Sequence, residues 1–584
     1  MRLNNRFVAA IAFAASLFAG SVGAQASNVV AQWIQLAPGS SSANPTTANF
    51  GDAPFSLTPT ILARAVISDD SEGCPVVKID HTIPIQMTQR FVGSTLTSVP
   101  GTAGATNGKA GYPQYFINPA AVAGTSWPGI NGGPVATTHW TECEAIVPPG
   151  HTTATIDGVL MKLPVAHPKR ILVMADTGCR LNGGLNAAGS NQQDCQNASA
   201  FPLQYLATLE AAEHPDLIIQ VGDWFYRDTN CLTNGAETFT GCNTTGNADY
   251  ETWGDTFDSW NADVFFPAKQ LLARAPWIML RGNHESCGRG ARGWYALLDP
   301  WPYDFNKVSC AKTAAYPAPG GTATAPTPTY NFDFEHTYII PVNNVDILVH
   351  DSSFANDSAV DTNMAKNYEV DLTNALAAAG PNAIAIFATH KPTFGLGTGL
   401  ASGTNPVTDN FGDFTEQATF FSGGSYPGSA FTKGVPANIA LFLSGHVHQF
   451  QYVNFADPAT FAPTLIVGTG GSLLDTDVST GVVPSGSTDV PYFHQQTGQN
   501  TNGKPVDYQY AISQYGGASI TAAIKRAYSH DEFGYATLDA VNDANGNTTG
   551  YSLIMHKIST NRGGRCALVL GNAPGTTRNI TCTF

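Results

Sequence analysis

Residues 170–178 read RILVMADTG, and residues 217–226 read LIIQVGDWFY. Each is a short apolar run, interrupted in the second only by Gln220, followed within a residue or two by Asp. Such runs do not alternate between apolar and polar, so both faces must be covered. That pattern belongs to strands inside a sheet buried on both sides. The same layout recurs at 277–285 (WIMLRGNHE), 384–390 (IAIFATH) and 439–448 (IALFLSGHVH). Asp346–Val349 is a further run, Leu465–Val467 leads into Gly468–Gly471, and Leu203–Glu213 is a helix candidate. Apolar strands with polar residues at their C-terminal ends predict a layered α/β architecture, with the polar groups gathered along one sheet edge. Phe533–Leu538 and Tyr551–His556 are expected as closing strands.

Upstream of residue 170 the pattern changes. Residues 27–165 alternate short apolar runs with Gly, Pro, Ser, Thr and Asn turns, and Thr60–Ile67 and Ala154–Leu163 read as strands. We expect an N-terminal β-rich domain at 27–165, a linker at Pro164–Lys169, and a catalytic domain at 166–584. Cys310–Thr329 and residues 477–511 read as insertions. Residues 1–26 carry Arg2 and Arg6, an uncharged apolar stretch from Phe7 to Gly20, and the small-residue site Ala24-Gln25-Ala26. That is the layout of a cleaved signal peptide, too short in its apolar core for a comfortable membrane span. A periplasmic or secreted protein with no membrane anchor after cleavage is therefore expected.

Composition agrees. The chain has 584 residues, more than one hydrophobic core usually supports. Only 12% are charged, about half the usual share, and the net charge is −16. Cleavage after Ala26 would leave 26 basic against 44 acidic residues. A basic footprint for nucleic acid is absent, so no nucleic-acid surface is expected. The ten cysteines form an even set with no CxxC pair, which suits disulfides in an oxidising compartment; the pairing is open.

The polar residues at the strand ends supply chemistry. Asp, Asn, Tyr and His offer oxygen and nitrogen ligands to hard or borderline cations. In order, the blocks are Asp176-Thr177-Gly178, Gly222-Asp223 with Tyr226, Gly282-Asn283-His284-Glu285, His390, and Gly445-His446-Val447-His448. Over roughly 170–475 this series resembles the calcineurin-like metallophosphoesterase superfamily. Asp-x-Gly with Gly-Asp-x-x-Tyr is most similar to its purple acid phosphatase branch, in a bacterial secreted form. The resemblance implies a four-layer α/β/β/α sandwich preceded by a β-sandwich-like domain. It implies two metals, one held by Asp176, Asp223, Tyr226 and His448, the other by Asp223, Asn283, His390 and His446, with Asp223 bridging. A phenolate ligand favours Fe(III), so Fe(III) plus a divalent Fe, Zn or Mn is implied. The wider superfamily has Asp-x-His in the first block; here Gly178 stands in place of that His.

The implied reaction is hydrolysis of small phosphate monoesters by a metal-bridging hydroxide, with His284 steadying the transition state or protonating the leaving oxygen. A structural role for His284 is the alternative. Of Arg180, Arg227 and Arg281, Arg227 is the candidate for holding phosphate, against a salt bridge to Asp228. A phosphodiesterase or nucleotidase would share every ligand, with specificity placed in 310–330, 395–435 and 477–525. A non-catalytic surface protein on the same scaffold is the third reading. Gly468–Gly471 resembles a phosphate nest without the P-loop Lys, and close backbone packing is its plainer reading. The roles of His350-Asp351 and His530-Asp531 stay open, as does the oligomeric state.

Overall fold

The computed structural model describes residues 28–39, 57–68, 73–92, 140–181, 193–195, 197–227, 255, 257–286, 289–303, 335–355, 360–395, 413–421, 434–455, 457–475, 508–513, 519–559, 564–571 and 578–583. The signal-peptide candidate, a Gly/Pro-rich stretch of sequence at Pro100–Pro134, Cys231, Cys242, Cys287, Cys310 and most of the three specificity segments lie outside these residues.

The N-terminal part contains β1 (Val29–Ala37), β2 (Thr60–Ile67), β3 (Val76–Ile79), β4 (Ile83–Gln86), β5 (Thr88–Val92), β6 (Thr141–Val147), β7 (Thr153–Ile156) and β8 (Val159–Lys162). Next come β9 (Arg170–Met174), α1 (Leu203–Ala212), β10 (Leu217–Gln220), α2 (Phe257–Trp260), a π-helical turn at Asn261–Phe265, α3 (Lys269–Leu272) and β11 (Trp277–Met279). After α4 (Ala291–Gly293) and a second π-helical turn at Trp294–Leu298, the chain forms β12 (Tyr338–Val342), β13 (Val345–His350), α5 (Thr362–Ala379), β14 (Ile384–Thr389) and α6 (Phe414–Phe421). β15 (Ile439–Ser444), β16 (Phe450–Phe455), β17 (Thr464–Val467), β18 (Tyr508–Ser513) and β19 (Ser519–His530) follow. β20 (Gly534–Asn542), β21 (Thr548–Lys557), β22 (Arg565–Val569) and β23 (Asn579–Thr583) end the fold.

Two large sheets pack face to face. One has eleven strands in the order β23-β22-β21-β20-β9-β10-β11-β1-β2-β6-β5, the other eight in the order β12-β13-β14-β15-β17-β16-β19-β18. Ile171, Val173, Ile219 and Ile278 of the first meet Ile347, Ile386, Leu441 and Leu465 of the second in the shared core. The outer face of the first sheet is covered by α1, the 257–272 segment and the turn at 294–298. The second is covered by α5 and α6. The result is the expected α/β/β/α sandwich, and it explains the unbroken apolar runs: β10, β11, β15 and β17 are buried on both faces.

At the N-terminal end, β1, β2 and β6 face a four-stranded sheet, β4-β3-β7-β8, across a second apolar core of Ile34, Ala63, Val77, Ile79, Ala154 and Ile156. This is the β-sandwich-like unit. Its larger sheet continues into the core that begins at β9, because β1 pairs parallel with β11 at Gln35 and Trp277. The run read as one strand at Ala154–Leu163 is instead a hairpin, β7 and β8. Asp157 (φ 47°) and Gly158 (φ 78°) make the two-residue turn, and Asp-Gly is the sequence pair such a turn favours.

Among the described residues, three disulfides join consecutive cysteines, Cys74–Cys143, Cys179–Cys195 and Cys566–Cys582. No described helix is long and apolar enough to cross a membrane.

Candidate metal centre

Parallel pairing of β9, β10 and β11 puts their C-terminal ends side by side, and the same holds for β13, β14 and β15. The two ends meet where the sheets face each other. Backbone bonds lace them together there, Gly470 N donating to Ala175 O and Ser472 N to Asp176 O, while Gly445 N to His390 O ties two loops of the second sheet. Asp176 (φ 56°), Asp223 (φ 56°) and His446 (φ 71°) all adopt the left-handed conformation. Such backbone is uncommon outside glycine and is held here by the surrounding packing.

The fit is tight enough to demand glycine. A Cβ on Gly222 (φ 95°) would lie 2.4 Å from His390 Nδ1, and one on Gly282 would lie 2.2 Å from Asp223 Oδ1. At Gly468 it would reach 1.9 Å from Val447 O, so the Gly468–Gly471 run serves close backbone approach.

Two groups of donors converge, and they share one residue. Asp176, Asp223 and His448 offer atoms within 4.8 Å of one another, as do Asp223, His390 and His446. The Tyr226 phenol stands inside the first group, 2.6 Å from Asp176 Oδ1, 2.8 Å from Asp223 Oδ2 and 2.7 Å from His448 Nε2. Asn283 Oδ1 joins the second, 3.0 Å from His390 Nε2. A Cβ at Gly178 would sit 2.6 Å from Trp224 O and 2.8 Å from Tyr226 N. The backbone of the second block therefore leaves no room for a side chain at position 178.

Orientation comes from neighbouring backbone. The Nδ1 of His390 faces Val221 O at 2.8 Å, and that of His448 faces Leu473 O at 2.5 Å. A proton donated from Nδ1 leaves each Nε2 lone pair aimed inward, the tautomer a metal ligand needs. The group charges conflict without a cation. Burial would lower the His390 imidazole, but Asp223 overrides it and raises it to about 9. Burial opposes ionisation of Asp223 too, yet His390 and His284 hold it well below the carboxylate range. Burial and the two carboxylates push the Tyr226 phenol well above its usual value. Two buried carboxylates, a phenol and three imidazoles in this space suit hard or borderline cations, which can replace the shared protons.

Glu285 is a structural residue that the sequence leaves unassigned. It is fully buried and accepts four backbone N–H groups, from Gly282 (2.8 Å), Asp223 (3.1 Å), Trp224 (2.8 Å) and Phe225 (2.9 Å). It holds the second and third blocks against each other. His284 lies over Tyr226 with ring centroids 3.9 Å apart and donates its backbone N–H to Asp223 Oδ1.

Arg227 and Arg281 are committed to buried partners, whereas the Arg180 charge lies near enough to His448 to work against protonation of its imidazole. Arg281 is buried between Asp351 and the Glu285 carbonyl and covers the Tyr295 ring. Arg227 is 2% exposed, with Nε 2.5 Å from Asp263 Oδ1, a partner far from the neighbouring Asp228 in sequence. Arg180 is held through its backbone by Gln193. His350 bonds Thr337 within the second sheet, and Asp351 is Arg281's partner. Asp531 is exposed.

Comparison with known proteins agrees with this geometry. Residues 169–450, just under half of the chain, match the family model described as calcineurin-like phosphoesterase. A solved structure titled "Structure of PhoD" aligns over 96% of this chain and 93% of that chain, with 10% identity and a TM-score of 0.43. No curated protein matches the chain in sequence.

Proposed function

We propose that the protein is an exported, two-metal phosphomonoesterase of the purple acid phosphatase type. The observation that carries this reading is the pair of donor clusters hinged on Asp223, with the Tyr226 phenol inside one of them. Asp176, Asp223, Tyr226 and His448 would hold one cation; Asp223, Asn283, His390 and His446 the other. Bound there, two cations would supply a nucleophilic water at moderate pH and draw charge from the phosphoryl oxygens. The chain's own groups do the rest. Val221 O and Leu473 O fix the tautomers of His390 and His448, and Glu285 fixes the loop that carries Asp223. His284, 7% exposed beside Tyr226, is placed to give a proton to a leaving oxygen.

The phenol ligand favours Fe(III), paired with a divalent Fe, Zn or Mn. The three disulfides support export to an oxidising compartment. The acidic net charge favours small phosphoesters over polyanionic nucleic acid. The deciding experiment is metal analysis with an absorption spectrum, followed by turnover of p-nitrophenyl phosphate against its bis ester. Two metals per chain, a visible phenolate-to-iron band and faster monoester turnover are expected. A colourless zinc or manganese protein would overturn the Fe(III) assignment, and faster bis-ester turnover would make it a phosphodiesterase.

A further inference from the structure

Asp263 belongs to none of the blocks above, yet it touches two of them. It sits in the π-helical turn at Asn261–Phe265 and is fully buried. Its Oδ2 accepts the Tyr226 amide at 3.0 Å. Its Oδ1 accepts the Cys179 amide at 3.2 Å and Arg227 Nε at 2.5 Å. A Cβ on Gly178 would come within 2.9 Å of Oδ2, so the carboxylate lies against the first block as well. One buried charge therefore ties the loop after β9 to the loop after β10. The Cys179 donor is fixed by its disulfide to Cys195, and the turn that carries Asp263 by aromatic packing. Phe265 stacks on Trp33 of β1 at 5.7 Å, and Trp260 stacks on Phe225 at 5.4 Å.

We propose that Asp263 is the positioning residue for the Tyr226 phenol, and that Arg227 acts through Asp263 rather than on the substrate. The inference rests on the metal reading above and assigns the second block a support outside the metal motifs. The physical reason is that a buried carboxylate is retained at low cost only when paired and hydrogen-bonded. Arg227 supplies the pairing, and the two amides complete it. With the charge in place, Tyr226 N is fixed at one point, and its ring can reach between Asp176 and His448.

The test compares Asp263→Asn, Arg227→Met and the double variant. Asn keeps the shape but turns an N–H₂ toward one of the donors. Three measurements are made. The first is retention of two metals per chain against a chelator. The second is KM for p-nitrophenyl phosphate at saturating metal. The third is hydrogen exchange of peptides spanning 176–181 and 223–227 in metal-free protein. Each single variant should lose one cation at roughly 10–100-fold lower chelator concentration, the usual effect of removing a group that orients ligands. The double variant should be no worse than the weaker single, because the two residues act as a unit. KM should stay within about twofold, and both peptides should exchange faster while 345–350 does not. Arg227→Met is the milder change and carries the comparison if Asp263→Asn fails to accumulate. A KM raised tenfold with both metals retained would show that Arg227 touches phosphate and sink the proposal. Unchanged exchange in the two peptides would sink it equally, and that result is independent of metal. Wild-type protein with no metal but with exchange responding as described would overturn the functional reading and leave the positioning role standing.

Discussion

At the scale of single residues, Asp223 is where the site has least freedom. It faces the Tyr226 phenol and His390 with one oxygen and the His284 amide with the other. Asp223→Asn should leave the chain folded but empty of both cations, with turnover reduced by at least ~10³-fold. Metal analysis beside the melting curve checks this; full activity in that variant would remove the bridging role. Gly178→Ala is the second prediction at this scale. The added methyl meets Trp224 O, Tyr226 N and Asp263 Oδ2, none of which is the free end of a flexible side chain. A loss of roughly 1–3 kcal/mol in urea unfolding is expected for overpacking of this kind. If the phenol binds Fe(III) as proposed above, a weakened visible band should accompany it, because the displaced backbone is that of Tyr226.

At the scale of elements, α1 carries a cost unrelated to the site. Glu210 is fully buried against the first sheet, and neither carboxylate oxygen finds a hydrogen-bond donor among the described residues. Burial pushes its carboxyl up to about 8. In the unfolded chain the same group titrates near the ordinary glutamate value, about 4.3. The folded state thus binds the proton more tightly. Glu210 costs nothing below the unfolded value, and stability falls as pH rises from there toward 8, by roughly 2–5 kcal/mol in all. Glu210→Gln cannot ionise and should flatten that part of the profile, gaining stability at pH 8.5 but little at pH 4. Urea unfolding at the two pH values decides it; parallel profiles for the two proteins would mean that α1 relaxes to hydrate the charge.

At the scale of the whole molecule, the decisive feature is the join between the N-terminal unit and the core. β1 lies inside the eleven-stranded sheet, between β11 and β2. Arg64 of β2, fully buried, pairs with Glu144 at 2.7 Å and donates to Asp299 O at 2.8 Å. Arg90 of β5 donates to Trp301 O at 2.9 Å. Both reach from the N-terminal strands into the segment following α4. A chain starting at residue 166 should therefore expose the β11 edge and the Trp277 face and fail to give a folded, metal-binding monomer. Size exclusion with metal analysis tests it. A well-folded truncated enzyme would establish the 27–165 and 166–584 units as independent domains.

Much of the site was readable from the chain because its information is local. A strand buried on both faces needs an unbroken apolar run, and the residue that ends it marks where the strand leaves the sheet. Asp176, Asp223, Asn283, His390 and His446 sit at such ends, so their gathering follows once the strands are parallel. The hairpin at Asp157-Gly158 was also legible, through its turn pair, but was merged into one strand by the apolar residues around it. What only the tertiary structure decided depends on partners distant in sequence. Arg227 pairs with Asp263, 36 residues away, a partner that no local pattern announces. β1 and β11 pair across more than 200 residues with no pattern in either that announces the other. Strand identity and ligand chemistry are written in each segment's own residues. Which segments meet is set by the packing of both sheets at once, and no single stretch of sequence contains it.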